Sequence, residues 1–145
     1  MRTLSQLRAI VLPTALVVCG CTASFPDVQL DPYAVLPGKW GWEASDDCSA
    51  SPEVIRFSTD KKQMHLAHAP INDNGVRDPR REVTYQVLRT LPNGLRMSMD
   101  GEERLDPSGK PVTWDLILLS QDQYCWHRGD WRPTGCTKPV LRCEI

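Results

Sequence analysis

The sequence predicts an all-β fold, a small eight-stranded antiparallel meander barrel with two disulfides, behind a cleaved signal peptide. Three observations predict it. Short β-branched or aromatic runs recur roughly every ten residues after the leader, with little helical periodicity. Tight turn sequences join consecutive runs, so neighbours in sequence become neighbours in the sheet. Four cysteines follow the leader and its flanking region, an even number that suits cross-linking of a small domain.

The eight strands are expected at 38–44, 53–58, 63–69, 82–90, 95–104, 111–119, 123–130 and 135–143. Leu91, Pro92, Asn93 and Gly94 read as a hairpin turn, with Pro where φ is preset and Asn and Gly where φ can turn positive. Asp106, Pro107, Ser108 and Gly109 fit a type I turn. Further turns are expected at 59–62 and 120–123, and a long polar loop from Ile71 to Arg81. Alternation assigns core stripes to Val83, Tyr85 and Val87, to Leu95, Met97 and Met99, and to Val112, Trp114, Leu116 and Leu118. Ile117 and Leu119 make the sixth run apolar on both faces. Eight hairpin-linked strands are enough to close a barrel and remove exposed edges.

The first twenty residues read as a secretory leader: Arg2 and Arg8, an apolar run from Ala9 to Val18, and small Gly20 before a cysteine. Pro13 and Thr14 interrupt that run, which is shorter than the roughly 20 apolar residues a spanning helix requires. Val18, Cys19, Gly20 and Cys21 resemble the lipobox of bacterial lipoproteins. That resemblance implies cleavage before Cys21, a diacylglycerol thioether on its sulfur, and a membrane anchor. Cys19 departs from the small residues commoner at its place. Thr22, rather than Asp, follows the cysteine, which by the sorting rule of enteric lipoproteins implies delivery to the outer membrane.

Cleavage removes two arginines and no acid, leaving 15 basic against 18 acidic residues and a formal charge of −3. That balance gives no basis for nucleic-acid binding. Residues 21–36, with Pro26, Asp27, Asp31 and Pro32, read as a lipidated tether, and residues 37–145 as the barrel domain. A domain of this size buries a modest core. Cys48, Cys125, Cys136 and Cys143 can pair in three ways. Cys125 with Cys136 and Cys48 with Cys143 is the favoured set, because barrel closure brings first and last strands together. Four cysteines can also hold zinc, but no C-x-x-C pair occurs and an oxidising compartment favours disulfides.

Gly38, Lys39 and Trp40 resemble the G-x-W entry of lipocalin-like barrels. The resemblance implies that Trp40 plugs one barrel end and that an arginine from a late strand, here Arg142, lies over the indole. It covers one short motif and the strand count over residues 37–145, without a second lipocalin motif.

The densest polar and aromatic segment runs from Tyr124 to Trp131. If extended, Tyr124, Trp126, Arg128 and Asp130 share one face and are the candidate binding residues, while Cys125, His127 and Trp131 take the other. Aromatic and arginine side chains anchor interfaces; equally, either Trp can fill the core while Arg128 pairs locally. His65 and His68 stand three apart on a strand and point to opposite faces, which argues against a shared metal. Asn72, Asp73, Asn74, Gly75 and Asp78 offer oxygen ligands but lack the ordered spacing and terminal Glu of a calcium loop, so a turn is expected. Glu102 and Glu103 read as a solvated edge, with Asp100 and Gly101 forming a bulge or turn. No metal or cofactor is assigned.

No G-x-S-x-G elbow, H-E-x-x-H pair or phosphate-binding glycine loop occurs. The expectation is a non-catalytic envelope lipoprotein whose barrel binds a macromolecular partner, in an inhibitor or immunity-type role against an envelope or incoming effector protein. The alternative is a carrier of a small apolar ligand inside the barrel, which requires a cavity rather than a filled centre.

Overall fold

The computed structural model describes residues 29–42, 46–132 and 135–144. The leader, Cys19 and Cys21 lie outside the described residues, as do positions 43–45. Eight strands follow one another: β1 (Gly38–Trp42), β2 (Glu53–Phe57), β3 (Gln63–His68), β4 (Arg81–Leu91), β5 (Gly94–Met99), β6 (Trp114–Ser120), β7 (Gln123–Arg128) and β8 (Val140–Arg142). Each pairs antiparallel with the next, and β8 returns to β1 to close the barrel. Both disulfides, Cys48–Cys143 and Cys125–Cys136, form in the favoured pairing.

The expected strands are right in number and order, but each of the last four is at least two residues shorter than read. The fifth, expected to reach residue 104, stops at Met99, because Asp100 and Gly101 form a turn with Gly101 at φ +75°. The sixth begins at Trp114 rather than 111, since Pro111 makes only an isolated bridge to Leu105 and has no N–H for a ladder. The seventh ends at Arg128, whose carbonyl accepts from Trp131 N at 2.9 Å in a turn. The eighth shrinks to Val140–Arg142, because Pro139 precedes it and Cys136 is tied sideways to Cys125.

The Pro92–Asn93 turn is present, with Leu91 facing Gly94, but Gly94 does not supply a positive φ. It is small because β5 runs close to β6 there: an added Cβ would land on the Leu116 carbonyl. Gly41 answers a similar need, since a Cβ there would lie 2.8 Å from Cys48 Sγ. The disulfide to Cys143 thus presses the short helix α2 (Asp47–Ala50) against the outside of β1.

The last third of the expected 21–36 tether belongs to the folded unit. Asp31 caps helix α1 (Pro32–Val35) by accepting from Tyr33 N at 3.0 Å, and Pro32 opens its first turn. Residues read as linker signals are a helix start. Leu36 is completely buried, Tyr33 meets the Phe57 ring edge-on at 5.1 Å, and Leu30 and Val35 pack on the core.

This segment closes one barrel end. Trp40 donates its indole N–H to Leu36 O at 2.8 Å, and the Arg142 guanidinium lies 4.2 Å from the Trp40 ring centroid. Arg142 also donates to the carbonyls of Val35 and Gln121. The contact expected from the Gly38–Lys39–Trp40 motif is therefore present. The short connections 58–62, 92–93 and 121–122 gather at this end. The long ones, which follow β1, β3, β5 and β7, lie at the other end, and there the barrel stays open.

Candidate binding site at the barrel mouth

Alternation along the strands sends one stripe of each inward, and near the mouth those stripes are aromatic. A chain of ring contacts climbs from the plug to the rim. Trp40 meets Tyr124 edge-on at 4.8 Å, and Tyr124 meets Trp126 at 6.1 Å. Trp126 then stacks on Tyr85 at 5.3 Å and meets Trp114 at 6.0 Å, and Trp114 meets Trp131 at 6.2 Å. Each pair has a geometry that the ring quadrupole favours.

Above the Tyr124 level these rings do not fill the barrel. They wall a cleft of about 510 Å³, with Trp42, Tyr85, Trp114, Trp126 and Trp131 around it and Leu66 and Glu53 deeper in. That volume falls within the range of small-molecule sites.

Glu53 is the unexpected member. It opens β2 in register with Ile55 and Phe57 and so points inward, where it is only 6% exposed. Trp42 donates an indole N–H to one carboxylate oxygen at 2.9 Å, and Tyr124 donates its hydroxyl to the other at 2.8 Å. Burial raises the Glu53 pKa above the usual carboxylate value, and the like charge of Asp47 adds to this; the two hydrogen bonds oppose it. Burial and the Glu53 charge in turn hold the Tyr124 hydroxyl well above its usual pKa and push that of Tyr85 up to about 12. Both phenols stay protonated near neutral pH. Among the described residues no arginine, lysine or histidine forms an ion pair with Glu53.

The other charges at the mouth are matched. Arg77 reaches Asp47 at 2.6 Å and the Ala69 carbonyl at 2.9 Å. Arg104 grips Glu102 through two hydrogen bonds while lying 5.1 Å from the Trp114 ring centroid, and Glu102 accepts from Trp114 Nε1 at 2.9 Å. That bonding holds the Glu102 pKa at about 2. Arg128 grips Asp130 in the same forked way and lies 5.5 Å from the Trp131 centroid. His68, the last residue of β3, lines the cleft with a buried Nε2 that has no hydrogen-bond partner among the described residues. Burial, then the charges of Arg81 and Arg80, lower its pKa, which keeps the imidazole neutral near pH 7.

The structure separates the four candidate residues by depth. Tyr124 is completely buried beneath the cleft, Trp126 forms its wall, and Arg128 with Asp130 makes a local pair at the rim. They mark one line from core to mouth rather than an outer patch. The three histidines have separate surroundings: His65 bonds Thr84 on the outer face, His68 lines the cleft, and His127 lies beside Arg132 O and Asp115. The 72–78 loop is a turn held by Asn72 Oδ1, which accepts from Asn74 N and Val76 N at 3.0 Å each.

Glu53 and Trp42 went unmarked as site residues in the sequence, although one signal was present. An acid that alternates with Ile55 and Phe57 lies on the apolar stripe of its own strand, and a polar group there is either paired inside or serves a ligand. In comparisons with known proteins, no family model, no curated protein and no solved structure matches this chain.

Proposed function

We propose that this chain is a non-catalytic envelope lipoprotein, anchored to the outer membrane through a lipid on Cys21, that binds a small, largely apolar ligand in the open mouth of its barrel. The observation that carries the binding reading is the cleft of about 510 Å³ walled by Trp42, Tyr85, Trp114, Trp126 and Trp131 at the end where the four long loops gather. The opposite end is sealed by Leu36 and Trp40, so a ligand enters and leaves from one side.

The five tryptophans supply a direct test, since each gives its own indole N–H resonance and only Trp40 sits at the sealed end. Titration with the neutral apolar probe N-phenyl-1-naphthylamine is expected to shift the indoles of Trp42, Trp114, Trp126 and Trp131 and leave that of Trp40 in place. No shift, or an equal shift of all five, overturns the mouth as a site. The anchor has its own test: mass spectrometry of the mature protein is expected to find an acylated Cys21 at the N-terminus, and an unmodified N-terminus elsewhere overturns it.

A second reading, in which the mouth meets a macromolecular partner such as an envelope enzyme or an incoming effector, is favoured by one observation. Ile71, Val76 and Leu105, on two of the long loops, expose more than half of their surface. Exposed apolar side chains around a cleft are a common feature of protein contacts. A pull-down from envelope extract in which Ile71→Ser and Leu105→Ser recover the same proteins as the wild type would overturn it.

A further inference from the structure

The mouth holds an imbalance of charge that an apolar ligand does not answer. Asp47, Glu102 and Asp130 each face their own arginine, whereas the buried Glu53 has, among the described residues, only two neutral donors, Trp42 and Tyr124. A carboxylate taken out of water without a counterion is costly, and filling the cleft with hydrocarbon would strip away its remaining water and raise that cost. Aromatic rings line the cleft around it, and the π faces of such rings attract positive charge. Two rim rings already act this way, Trp114 beneath Arg104 and Trp131 beneath Arg128.

We propose that the ligand of this cleft carries a small organic cation, an alkyl- or arylammonium head, which sits among the rings of Trp42, Tyr85, Trp114 and Trp126 with Glu53 as its counterion. This deepens the mouth-binding reading and rests on it. The ammonium supplies the counterion that the floor lacks, and the rest of the molecule covers Leu66 and the indole walls. His68 lines the same cleft, and its Nε2 has no hydrogen-bond partner among the described residues. Anionic ligands are disfavoured, because Arg77 offsets Asp47 in the cleft lining and leaves the Glu53 carboxylate as the unbalanced charge. The burial that raises the Glu53 pKa has the same origin, and an arriving cation reverses it.

Choline and 3,3-dimethylbutan-1-ol test this cleanly, because they have nearly the same shape and differ in the charge of one atom. With the wild-type protein, choline is expected to bind at least about tenfold more tightly than the alcohol and to shift the four mouth indoles but not Trp40. Glu53→Gln is expected to weaken choline and to bind the alcohol at least as tightly as the wild type does, so that the preference falls several-fold. Equal binding of the two by the wild type overturns the cation while leaving the mouth as a site. If neither binds, the cation inference fails, and the naphthylamine titration decides the mouth separately. The wild-type comparison needs no variant, so misfolding of Glu53→Gln does not shelter the inference. Vesicles of phosphatidylcholine form a second arm. Shifts with free choline alone assign a soluble amine, and shifts with the vesicles alone assign a lipid headgroup; both support the cation class.

Discussion

The Tyr124 hydroxyl meets the Glu53 carboxylate at 2.8 Å across 71 residues of sequence, joining the end of the aromatic core to the floor of the cleft. Tyr124→Phe deletes a donor and leaves a buried carboxylate oxygen unanswered. We expect a loss of about 1–3 kcal/mol in stability. The loss should be larger at pH 8 than at pH 4, because the protonated acid no longer carries the charge that the hydroxyl solvates. Urea denaturation at the two pH values reads both effects; a cost that does not change with pH would mean that Glu53 is neutral in the fold throughout.

Arg142 and Trp40 make the sealed end, and their contact is separate from the mouth. Arg142→Ala removes a guanidinium from the indole face together with its hydrogen bonds to the carbonyls of Val35 and Gln121. The expected loss is about 1–3 kcal/mol, with Arg142→Lys losing most of it because an ammonium lacks the planar fork. Mouth-indole shifts on adding the naphthylamine probe should persist in the folded variant. Loss of ligand binding with an intact fold would contradict the separation of the two ends.

The barrel was legible because its signals are local. Val83, Tyr85 and Val87, or Leu95 and Met97, alternate over a few residues, and Asp106–Gly109 carries its turn chemistry within four. Strand ends were less legible. Whether residues 100–104 or 135–139 continue a ladder depends on a partner strand and on a lateral disulfide, neither of which a run of residues displays. Asp31 and Pro32 show the same limit, since the pair suits a linker and a helix start equally until Leu36 finds a hole to fill. The site was legible in part. Tyr124, Trp126, Arg128 and Asp130 all lie along the line from core to mouth, but only closure of the barrel brings Trp42, Glu53 and Tyr124 together.

The two disulfides close loops of very different length. Cys48 and Cys143 are 95 residues apart and Cys125 and Cys136 only 11. Restriction of the unfolded chain predicts a contribution of about 4–5 kcal/mol from the first and about 3 kcal/mol from the second. Replacing Cys48 and Cys143 by Ser should therefore lower the denaturation midpoint further than replacing Cys125 and Cys136. It also frees helix α2 from β1 beside Trp42 and Asp47. The reverse order would show that the short bridge, next to Trp126, governs packing of the mouth rather than chain entropy.

Stability should respond to pH in opposite senses through Glu102 and Glu53. The forked hydrogen bond from Arg104 holds Glu102 at about 2 in the fold against an ordinary 4.5. Its contribution is thus complete above about pH 4.5 and disappears as pH falls toward 2. The Glu53 pKa is raised above the same 4.5, so the fold binds its proton more tightly than the unfolded chain does. Its penalty appears as pH rises above 4.5 and is complete above the folded pKa. Glu102→Gln should accordingly destabilise the protein at pH 7 and leave it nearly unchanged near pH 2. Glu53→Gln should gain relative to the wild type as pH rises from 4.5, because the variant carries no charge to desolvate. Adding choline at pH 7 should shrink that relative gain, since a bound cation relieves in the wild type the penalty that the substitution removes. Denaturation of both variants across this range, with and without choline, measures each sign. A Glu53→Gln difference that does not vary with pH would mean that its carboxyl is not held above the ordinary value.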